Sequence, residues 1–373
     1  MLVQTPVTSS NARRTWLVLG GLAVVAVVAL IATTLRRDAK QPTTSTDEAT
    51  QSAENSASNA TPAAAERSAS VPSASAPRIA TSAAAGNVLA TLGWGSGPGR
   101  IGRPEEEEGH GETPLRLTTD SAGNVLLLDP VNDRLVRLGP DGKPLPDVRL
   151  PIKEPRDVGV AKDGTVLLLD ADAQRGGSVV LLGPDGQQKS LPLPPGSARS
   201  ARALVTSGND VYLEAYNGEL TRLGTAQGVA DPNPTMAPGR PTRDGRGYLS
   251  ALIADPESGR VHVYVVENPS QQQRFSRLLH TTMFVEGIFL VDTSLAGTIY
   301  LGITGNVPGG APDVTSAQLL CLEPEKGEIL GGVDLPVNVG EEAILDAKAL
   351  DGGGVVFSVH SRQGMRIERH DCR

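Results

Sequence analysis

The chain has 373 residues, with 42 acidic and 34 basic side chains, and therefore a formal net charge of −8 at pH 7. Residues 1–40 hold five basic side chains and one acidic side chain, a net of +4, so residues 41–373 carry −12. This acidity argues against nucleic acids and anionic lipid surfaces as partners of the main part of the chain, because both are bound by clustered Lys and Arg. Aromatic residues make up only 3% of the chain, which disfavours a sugar-binding platform of exposed rings.

An uncharged apolar run near the start of the chain predicts a single transmembrane helix over residues 16–35. At about 1.5 Å per residue, this run matches a hydrocarbon core of roughly 30 Å. It is longer than the apolar part of a cleaved signal peptide, roughly 7 to 15 residues, and no clear Ala-x-Ala cleavage site follows it. We therefore expect residues 1–15 to form a short tail before an uncleaved signal anchor.

Residues 36–86 are predicted to form a disordered linker. Val71 is the only apolar residue larger than Ala before Ile79, and Ser, Ala, Thr and Pro dominate the segment. Such a chain cannot bury enough surface to fold, and as a coil it reaches about 40 Å. Basic residues flank both ends of the span, so the flanking charges do not set its orientation. The long spacer favours a domain displayed outside the cytoplasm, in a periplasm or at a cell surface.

An internal repeat identifies the architecture of residues 87–373. The stretch 120–129 recurs 41 residues later as 161–170, and both copies contain Val-Leu-Leu-Leu-Asp and run on into Leu-Gly-Pro-Asp-Gly. A period in the low forties, with short apolar strands between Gly, Asp and Pro turns, is typical of β-propeller blades. The length of the domain suits six four-stranded blades, so the sequence predicts an all-β, six-bladed β-propeller.

The predicted blades follow one another in chain order. Blades one and two occupy residues 113–150 and 154–193, and blade three shows only three strands. Blade six ends the chain without an outer strand, and the strand predicted at 87–92 is expected to pair there. This pairing would close the ring and remove both open sheet edges. In blade four the predicted strands are 249–253, 261–266, 275–279 and 282–285.

The repeat resembles the NHL repeat of six-bladed propellers. The Gly-rich lead-in of that family matches residues 93–99, its central Asp-x-x-Gly-x-Val motif matches 120–129, and its Asn-x-Arg segment matches Asn132 and Arg134. The resemblance is good in blades one and two and loose in blade three. It implies an interaction platform, because family members mostly bind partners, although some related propellers are calcium-dependent lactonases or other hydrolases.

A hydrolase of that kind would hold calcium at the central funnel. The sequence shows no Gly-x-Ser-x-Gly elbow and no metal-binding spacing among its five histidines. The acidic run 105–112 reads as a solvated loop, because consecutive ligands cannot all converge on one ion. We therefore assign no catalytic residue and no metal ligand, and calcium is the one cofactor kept as an alternative. Conceivable pore carboxylates are Asp157, Glu214, Asp244, Glu342 and Asp346.

Long loops point to a binding face. The segments 97–112, 224–247, 267–274 and 305–316 are assigned to links between blades or to connections between second and third strands. Both classes open on one face of a propeller, and long loops on a rigid scaffold often carry function. The candidate residues of this partner-binding face are Arg156, Asp157, Arg202, Arg240, Arg243, Asp244, Arg246, Glu341 and Glu342.

The chain has two cysteines, Cys321 and Cys372. In an oxidising compartment they could pair and fasten the end of the chain to the preceding repeat. Alternatively, Cys321 is a small buried residue of an apolar strand and Cys372 an unpaired end.

These features predict a single-pass, membrane-tethered protein whose propeller binds a protein or peptide partner in the cell envelope. The alternative is a calcium-dependent lactonase- or esterase-like hydrolase with its metal at the funnel. A third class, a structural spacer of an envelope complex, predicts a smooth surface with nothing bound.

Deleting residues 16–35 is expected to move the protein from the membrane pellet to the soluble fraction, because the deletion removes the only predicted span. Fractionation of cells expressing the full chain and the deletion measures this. Deletion of residues 41–60, of the same length but within the linker, is expected to leave the protein in the pellet. A protein that stays in the pellet without residues 16–35 would contradict the predicted anchor.

Overall fold

The described part of the chain begins at residue 87, so the predicted tail, span and linker lie outside it. Within it, no helix is long and apolar enough to cross a membrane. The helices that it contains are short 3-10 turns at Pro130–Asn132 and Ser197–Arg199. The computed structural model describes residues 87–103, 116–308, 315–335, 346–361 and 363–371.

The described residues form six antiparallel sheets arranged as the blades of a β-propeller, which confirms the predicted fold. Five sheets have four strands, and the sixth has a short fifth strand added in parallel. The innermost parts of neighbouring blades contact one another around the ring, and the last blade contacts the first. Each blade therefore packs on two others.

Blades 1 and 2 carry the internal repeat and match the prediction closely. The Val-Leu-Leu-Leu-Asp stretches form their second strands, and all of Val125–Asp129 is buried because neighbouring blades cover both faces. In the Gly-Pro-Asp-Gly turn of blade 1, Gly142 has φ +78° and a Cβ there would lie 1.8 Å from the carbonyl oxygen of Leu89, so only glycine fits. The strands are β3 (Leu117–Thr119), β4 (Val125–Asp129), β5 (Arg134–Leu138) and β6 (Pro144–Arg149), then β7 (Val158–Val160), β8 (Val166–Asp170), β9 (Ser178–Leu182) and β10 (Gln188–Pro192).

Blades 3 and 4 differ from the prediction at two short strands. The fourth strand of blade 3 has only two residues, and the first strand of blade 4, Arg240–Pro241, is equally short. A two-residue strand that contains Pro has no apolar periodicity, so the prediction missed it and began blade 4 one strand late. The strands are β11 (Ala201–Ser207), β12 (Asp210–Ala215), β13 (Leu220–Thr225) and β14 (Met236–Ala237), then β15 (Arg240–Pro241), β16 (Gly247–Asp255), β17 (Arg260–Glu267) and β18 (Gln273–His280).

Blades 5 and 6 complete the ring. The stretch predicted as the last strand of blade 4, residues 282–285, instead begins the first strand of blade 5. The strands are β19 (Phe284–Thr293), β20 (Ile299–Asn306), β21 (Thr315–Leu322) and β22 (Ile329–Leu335), then β23 (Ala347–Ala349), β24 (Val355–Ser361) and β25 (Gly364–His370), with β1 (Asn87–Trp94) and β2 (Arg100–Ile101).

The predicted closure by the first strand is confirmed. β1 pairs antiparallel with β25, from Asn87 opposite Arg369 to Gly93 opposite Gly364. The indole Nε1 of Trp94 donates a hydrogen bond of 3.0 Å to the carbonyl oxygen of Ser361. The first and the last strand of the domain therefore belong to the same blade, and their pairing closes the ring.

The cysteine pairing stays a prediction. Cys321 lies on β21, is buried, and is disulfide-bonded. Its predicted partner, Cys372, lies outside the described residues.

The strand order defines two faces. We call the face that carries the links between blades and the second-to-third connections the link face. The opposite face, with the first-to-second and third-to-fourth turns, is the turn face. Because blade 4 begins at β15, residues 226–235, 242–246 and 268–272 all connect on the turn face. The prediction that the long loops share one face is therefore wrong for 224–247 and 267–274.

We expect Leu92→Ala to lower the free energy of unfolding by about 2–5 kcal/mol, because Leu92 is buried on β1 in the core shared by blades 6 and 1. Val88→Ala, at an exposed position on the same strand, is the matched control and should change stability by less than about 0.5 kcal/mol. Urea unfolding of the two variants measures the difference. Equal losses would contradict a closure that depends on packing.

Candidate functional site

A buried carboxylate, Asp157, and a half-buried one, Asp346, join neighbouring blades on the link face. Asp157 precedes β7 and Asp346 precedes β23, at the link-face ends of innermost strands. Each accepts a hydrogen bond from the innermost strand of the next blade: Oδ2 of Asp157 from the N–H of Leu204 at 2.6 Å, and Oδ2 of Asp346 from the N–H of Leu117 at 2.5 Å. Their first role is therefore to hold the ring together.

The charges around Asp346 are balanced. Burial raises the pKa of Asp346, and the nearby carboxylate of Asp157 adds to the rise. The positive charges of Arg116 and Lys348 act in the opposite direction. Two carboxylates and two cations thus share the centre of the ring.

Three predicted arginines lie on the same face, and two of them, Arg156 and Arg240, bridge blades. Nη1 of Arg156 donates to the carbonyl oxygen of Ala201 at 2.7 Å, from blade 2 to blade 3. Arg240, at the start of blade 4, forms an ion pair with Glu214 of blade 3. Arg202 approaches the same carboxylate at 4.0 Å.

Three further residues of the predicted set lie on the opposite face. Arg243, Asp244 and Arg246 lie in the turn between β15 and β16, on the turn face. These three residues lie on the turn face because the chain crosses from the link face in the two-residue strand β15 and then turns into β16. Glu341 and Glu342 lie outside the described residues, as does the acidic run 105–112.

On the turn face, a largely buried ion cluster joins three blades. We call it the Arg243 clasp, and it consists of Arg243 of blade 4, Asp292 of blade 5 and Asp351 of blade 6. Arg243 binds Asp292 through two hydrogen bonds, Nε to Oδ1 at 3.2 Å and Nη2 to Oδ2 at 2.9 Å, and Asp351 through Nη1 at 2.7 Å. Burial opposes both charges of the central pair, but their attraction outweighs it, so the pKa of Arg243 is raised and that of Asp292 is lowered to about 2.

Glu342 lies outside the described residues, and the other four carboxylates considered for a calcium centre do not form a common set of ligands. Asp157 and Asp346 bind backbone N–H groups, Glu214 binds an arginine, and Asp244 lies on the opposite face. There, Oδ2 of Asp244 accepts a hydrogen bond from Nε of Arg246 at 2.7 Å. In the part of the chain that the structure describes, no group of three or more His, Cys, Asp or Glu is placed to hold a metal ion.

The interface between blades 3 and 4, here called the seam, is packed differently from the other five. Those five each contain an apolar cluster of between 8 and 14 buried residues contributed by both blades. At the seam, the described residues form a cluster of only three, Val205, Tyr212 and Leu220, all from blade 3. Polar contacts join the blades here, including the Arg240 ion pair and a hydrogen bond of 3.2 Å from Oγ of Ser207 to the carbonyl oxygen of Thr242.

The short β14 explains why the seam is open. Since blade 3 ends with a two-residue strand, it covers little of the longer β17 and β18 of blade 4. Leu252, His262 and Leu278 lie side by side across three strands on the uncovered side. The two leucines are 54% and 46% exposed. We call this row, with Tyr248 and Ser250 further along β16, the seam flank.

A groove lies beside the seam flank, between blade 3 and β16 of blade 4. It has a volume of about 540 Å³, within the range of ligand pockets, roughly 300–1,000 Å³. A second cavity, between blades 6 and 1, has about 250 Å³. The larger groove has a mixed lining, with six residues from blade 3 and two from blade 4: Tyr212, Arg222, Thr235, Met236, Ala237, Pro238, Tyr248 and Gln271.

The charged residue that lines the groove, Arg222, is paired with two carboxylates. Arg222 forms ion pairs of 2.8 Å with both Asp210 and Asp231. Burial raises the pKa of Tyr212 to about 12, and the neighbouring Tyr248 and Asp210 add to the rise. The phenol of Tyr212 therefore stays protonated throughout the physiological pH range, and its hydrogen bond with Tyr248 contributes to the raised pKa.

Sequence reasoning missed the seam. The strand 247–255 is apolar on both faces, so its pattern does not distinguish a covered flank from an exposed one. The one available signal was the short third blade, in which only three strands are recognisable before a long loop. A blade with a missing outer strand leaves its neighbour uncovered.

Comparison with known proteins supplies no family for this chain. No family model matches it, and no curated protein matches it either. Solved structures that it resembles include virginiamycin B lyase from Staphylococcus aureus, at 12% identity over 69% of this chain and 94% of that chain, with a TM-score of 0.38. The C-terminal WD40 domain of Sif2 is 11% identical over 68% and 80% of the two chains, with a TM-score of 0.37.

A chain of the Mitotic Checkpoint Complex has a TM-score of 0.46, at 9% identity over 87% of this chain and 100% of that one. At these identities and TM-scores, the similarities carry no information about what this chain binds or catalyses. Its function has to be inferred from its own geometry.

We expect Arg243→Leu to lower the free energy of unfolding at pH 7 by about 3–5 kcal/mol, because it leaves two largely buried carboxylates uncompensated. Arg246→Leu, in the same turn but 54% exposed at the side chain, should cost less than about 1 kcal/mol. Chemical denaturation of both variants measures the difference.

The pH dependence distinguishes the clasp from simple packing. The folded pKa of Asp292, about 2, lies below its unfolded value of about 3.9, so its stabilisation is present above pH 4 and is lost as the pH falls through 2. The gap between Arg243→Leu and the unmodified protein should therefore shrink from pH 6 to pH 2.5. A constant gap would contradict an electrostatic role.

Proposed function

We propose that this protein is a membrane-tethered binding module that recognises a segment of a protein partner at the seam between blades 3 and 4. The span at residues 16–35 would hold it to the membrane and the linker at 36–86 would give it reach, with the propeller outside the cytoplasm. Recognition, and not catalysis, is the activity that the described geometry supports.

The observation that carries this proposal is the uncovered seam flank. Burying the exposed halves of Leu252 and Leu278 would contribute about 1 kcal/mol each. The neighbouring groove adds the half-buried Tyr248, which combines an apolar ring with a polar tip and packs beside the buried Tyr212. Apolar surface beside a pocket marks an interaction site more often than a random exposed leucine does.

The walls of the seam are suited to binding because they are rigid. Blade 3 is fixed to blade 2 by a cluster of 14 buried residues, and blade 4 is fixed to blade 5 by a cluster of 13. A partner would therefore meet two preorganised surfaces and would not have to order them, which lowers the entropic cost of association.

A displayed library of random ten-residue peptides, selected on the full-length protein in detergent micelles, tests the proposal. We expect selected peptides to lose binding to the double variant Leu252→Asp/Leu278→Asp, because two carboxylates would replace the apolar row. Leu295→Asp is the matched control, since Leu295 is 52% exposed on blade 5, away from the seam. It should bind the same peptides as the unmodified protein.

Two outcomes of this experiment would contradict the proposed binding site. Peptides that bind the seam variant and the unmodified protein equally would place recognition elsewhere on the domain and would overturn the proposal. A selection that enriches no peptide above the detergent background would overturn it as well. Unfolding curves of all variants establish that each is folded before binding is compared.

A further inference from the structure

We propose that the segment accepted by the seam is extended, uncharged and proline-containing, with about four residues in contact. This inference rests on the proposed function, because it names the chemistry of the partner at the same site. It follows from the length of the seam flank, the charge state of the groove and the hydrogen-bonding groups at its tyrosines.

The length of the bound segment is inferred from the register of β16. Tyr248, Ser250 and Leu252 lie on one side of this strand, because side chains alternate and the pairing with β17 has no irregularity between them. Tyr248 and Leu252 are four residues apart on β16, so at about 3.3 Å per residue they lie about 13 Å apart. A polyproline II segment rises about 3.1 Å per residue, so about four of its residues span the same distance.

That the bound segment is uncharged is inferred from the neighbours of Arg222. Arg222 forms ion pairs of 2.8 Å with two carboxylates, Asp210 and Asp231, so the three side chains together carry a net charge of −1 and repel an acidic ligand. An acidic segment would also meet the negative charge that dominates residues 41–373. A basic side chain in the groove would compete with Arg222 for the same two carboxylates. A segment without charge meets neither penalty.

That the bound segment contains proline is inferred from the tyrosines of the groove. Aromatic grooves bind polyproline II segments because the ring faces pack on proline and the hydroxyl groups bond the free carbonyl oxygens of the segment. Tyr212 and Tyr248 line the groove together, but Tyr212 is only 5% exposed and its phenol interacts with Tyr248, so the half-buried Tyr248 supplies the ring and hydroxyl that a segment can reach. On the blade 3 side, the groove is lined by Pro238 and by Met236, which is 63% exposed and has a flexible side chain that can adapt to a ligand.

The composition of the selected peptides tests this inference. We expect the seam-dependent pool to be enriched in Pro and depleted in Asp, Glu, Lys and Arg relative to the unselected library. A synthetic peptide from that pool should then lose about tenfold in affinity, by fluorescence anisotropy, when one of its contact residues is changed to Glu or Lys. Replacing its prolines by glycine should weaken it similarly, because the extended conformation is no longer preformed.

Two variants of the protein complete the test. Tyr248→Phe should weaken binding about fivefold, because it removes a hydroxyl and leaves the ring. Met236→Glu should weaken it about tenfold, by placing a charge at the groove. Val131→Glu, at a 51% exposed position of blade 1, is the matched control and should have no effect.

The outcomes separate this inference from the proposed function. A pool that depends on the seam but is rich in charged residues and poor in proline would overturn the inference and leave the binding module standing. No seam-dependent pool at all would overturn both. A peptide with the sequence of residues 68–79 is included, since this part of the linker contains Pro72 and Pro77. If it outcompetes the selected peptides, the occupant is the chain's own linker, and the inference of a partner segment fails.

A second copy of the chain is the remaining occupant. Sedimentation of the full chain and of Leu252→Asp/Leu278→Asp distinguishes it. We expect both to sediment identically. A dimer that dissociates in the double variant would show that the seam is covered by self-association, and would overturn the inference.

Discussion

The antiparallel pairing of β1 with β25 is the interaction on which the rest of the structure depends. It brings the first residues of the domain into the last blade, so that every blade has two neighbours and each sheet face has a surface to pack against. Without it, the core between blades 6 and 1, which includes Leu92 and Ile101, would lose one of its sides. A closed ring also removes the long open sheet edges that would otherwise pair with other chains.

Once the ring is closed, the six interfaces need not be equal. Five are filled with apolar side chains, and their rigidity allows the sixth to be joined by polar contacts and to remain open. The seam is thus a local departure from core packing that the remainder of the ring can tolerate. Departures of this kind, where local packing rules are broken without loss of the fold, are the places where function is expected.

Charged side chains on the two faces join blades in different ways. On the link face, Asp157, Asp346 and Arg156 bond to the backbone of the next blade, and on the turn face Arg243 joins three blades. In the sequence, Arg156, Asp157 and Arg243 looked like parts of a binding surface and Asp346 like a pore carboxylate, because charge and loop position are all that the sequence shows. Their partners lie in blades that are distant along the chain, and a side chain already bonded to a neighbouring blade is not free for a ligand.

The sequence by itself determined the repeat, the all-β class, the number of blades and the strand that closes the ring, because period, alternation and turn residues are local properties of the chain. Blades 1 and 2 were placed almost residue by residue for this reason. Only the tertiary structure decided where blade 4 begins, since the two residues of β15 acquire their strand pairing from β16 and have no pattern of their own. It also decided which face carries Arg243, and that Leu252 and Leu278 are exposed. Exposure depends on whether a neighbouring blade is long enough to cover a strand, and this depends on residues far away in the chain.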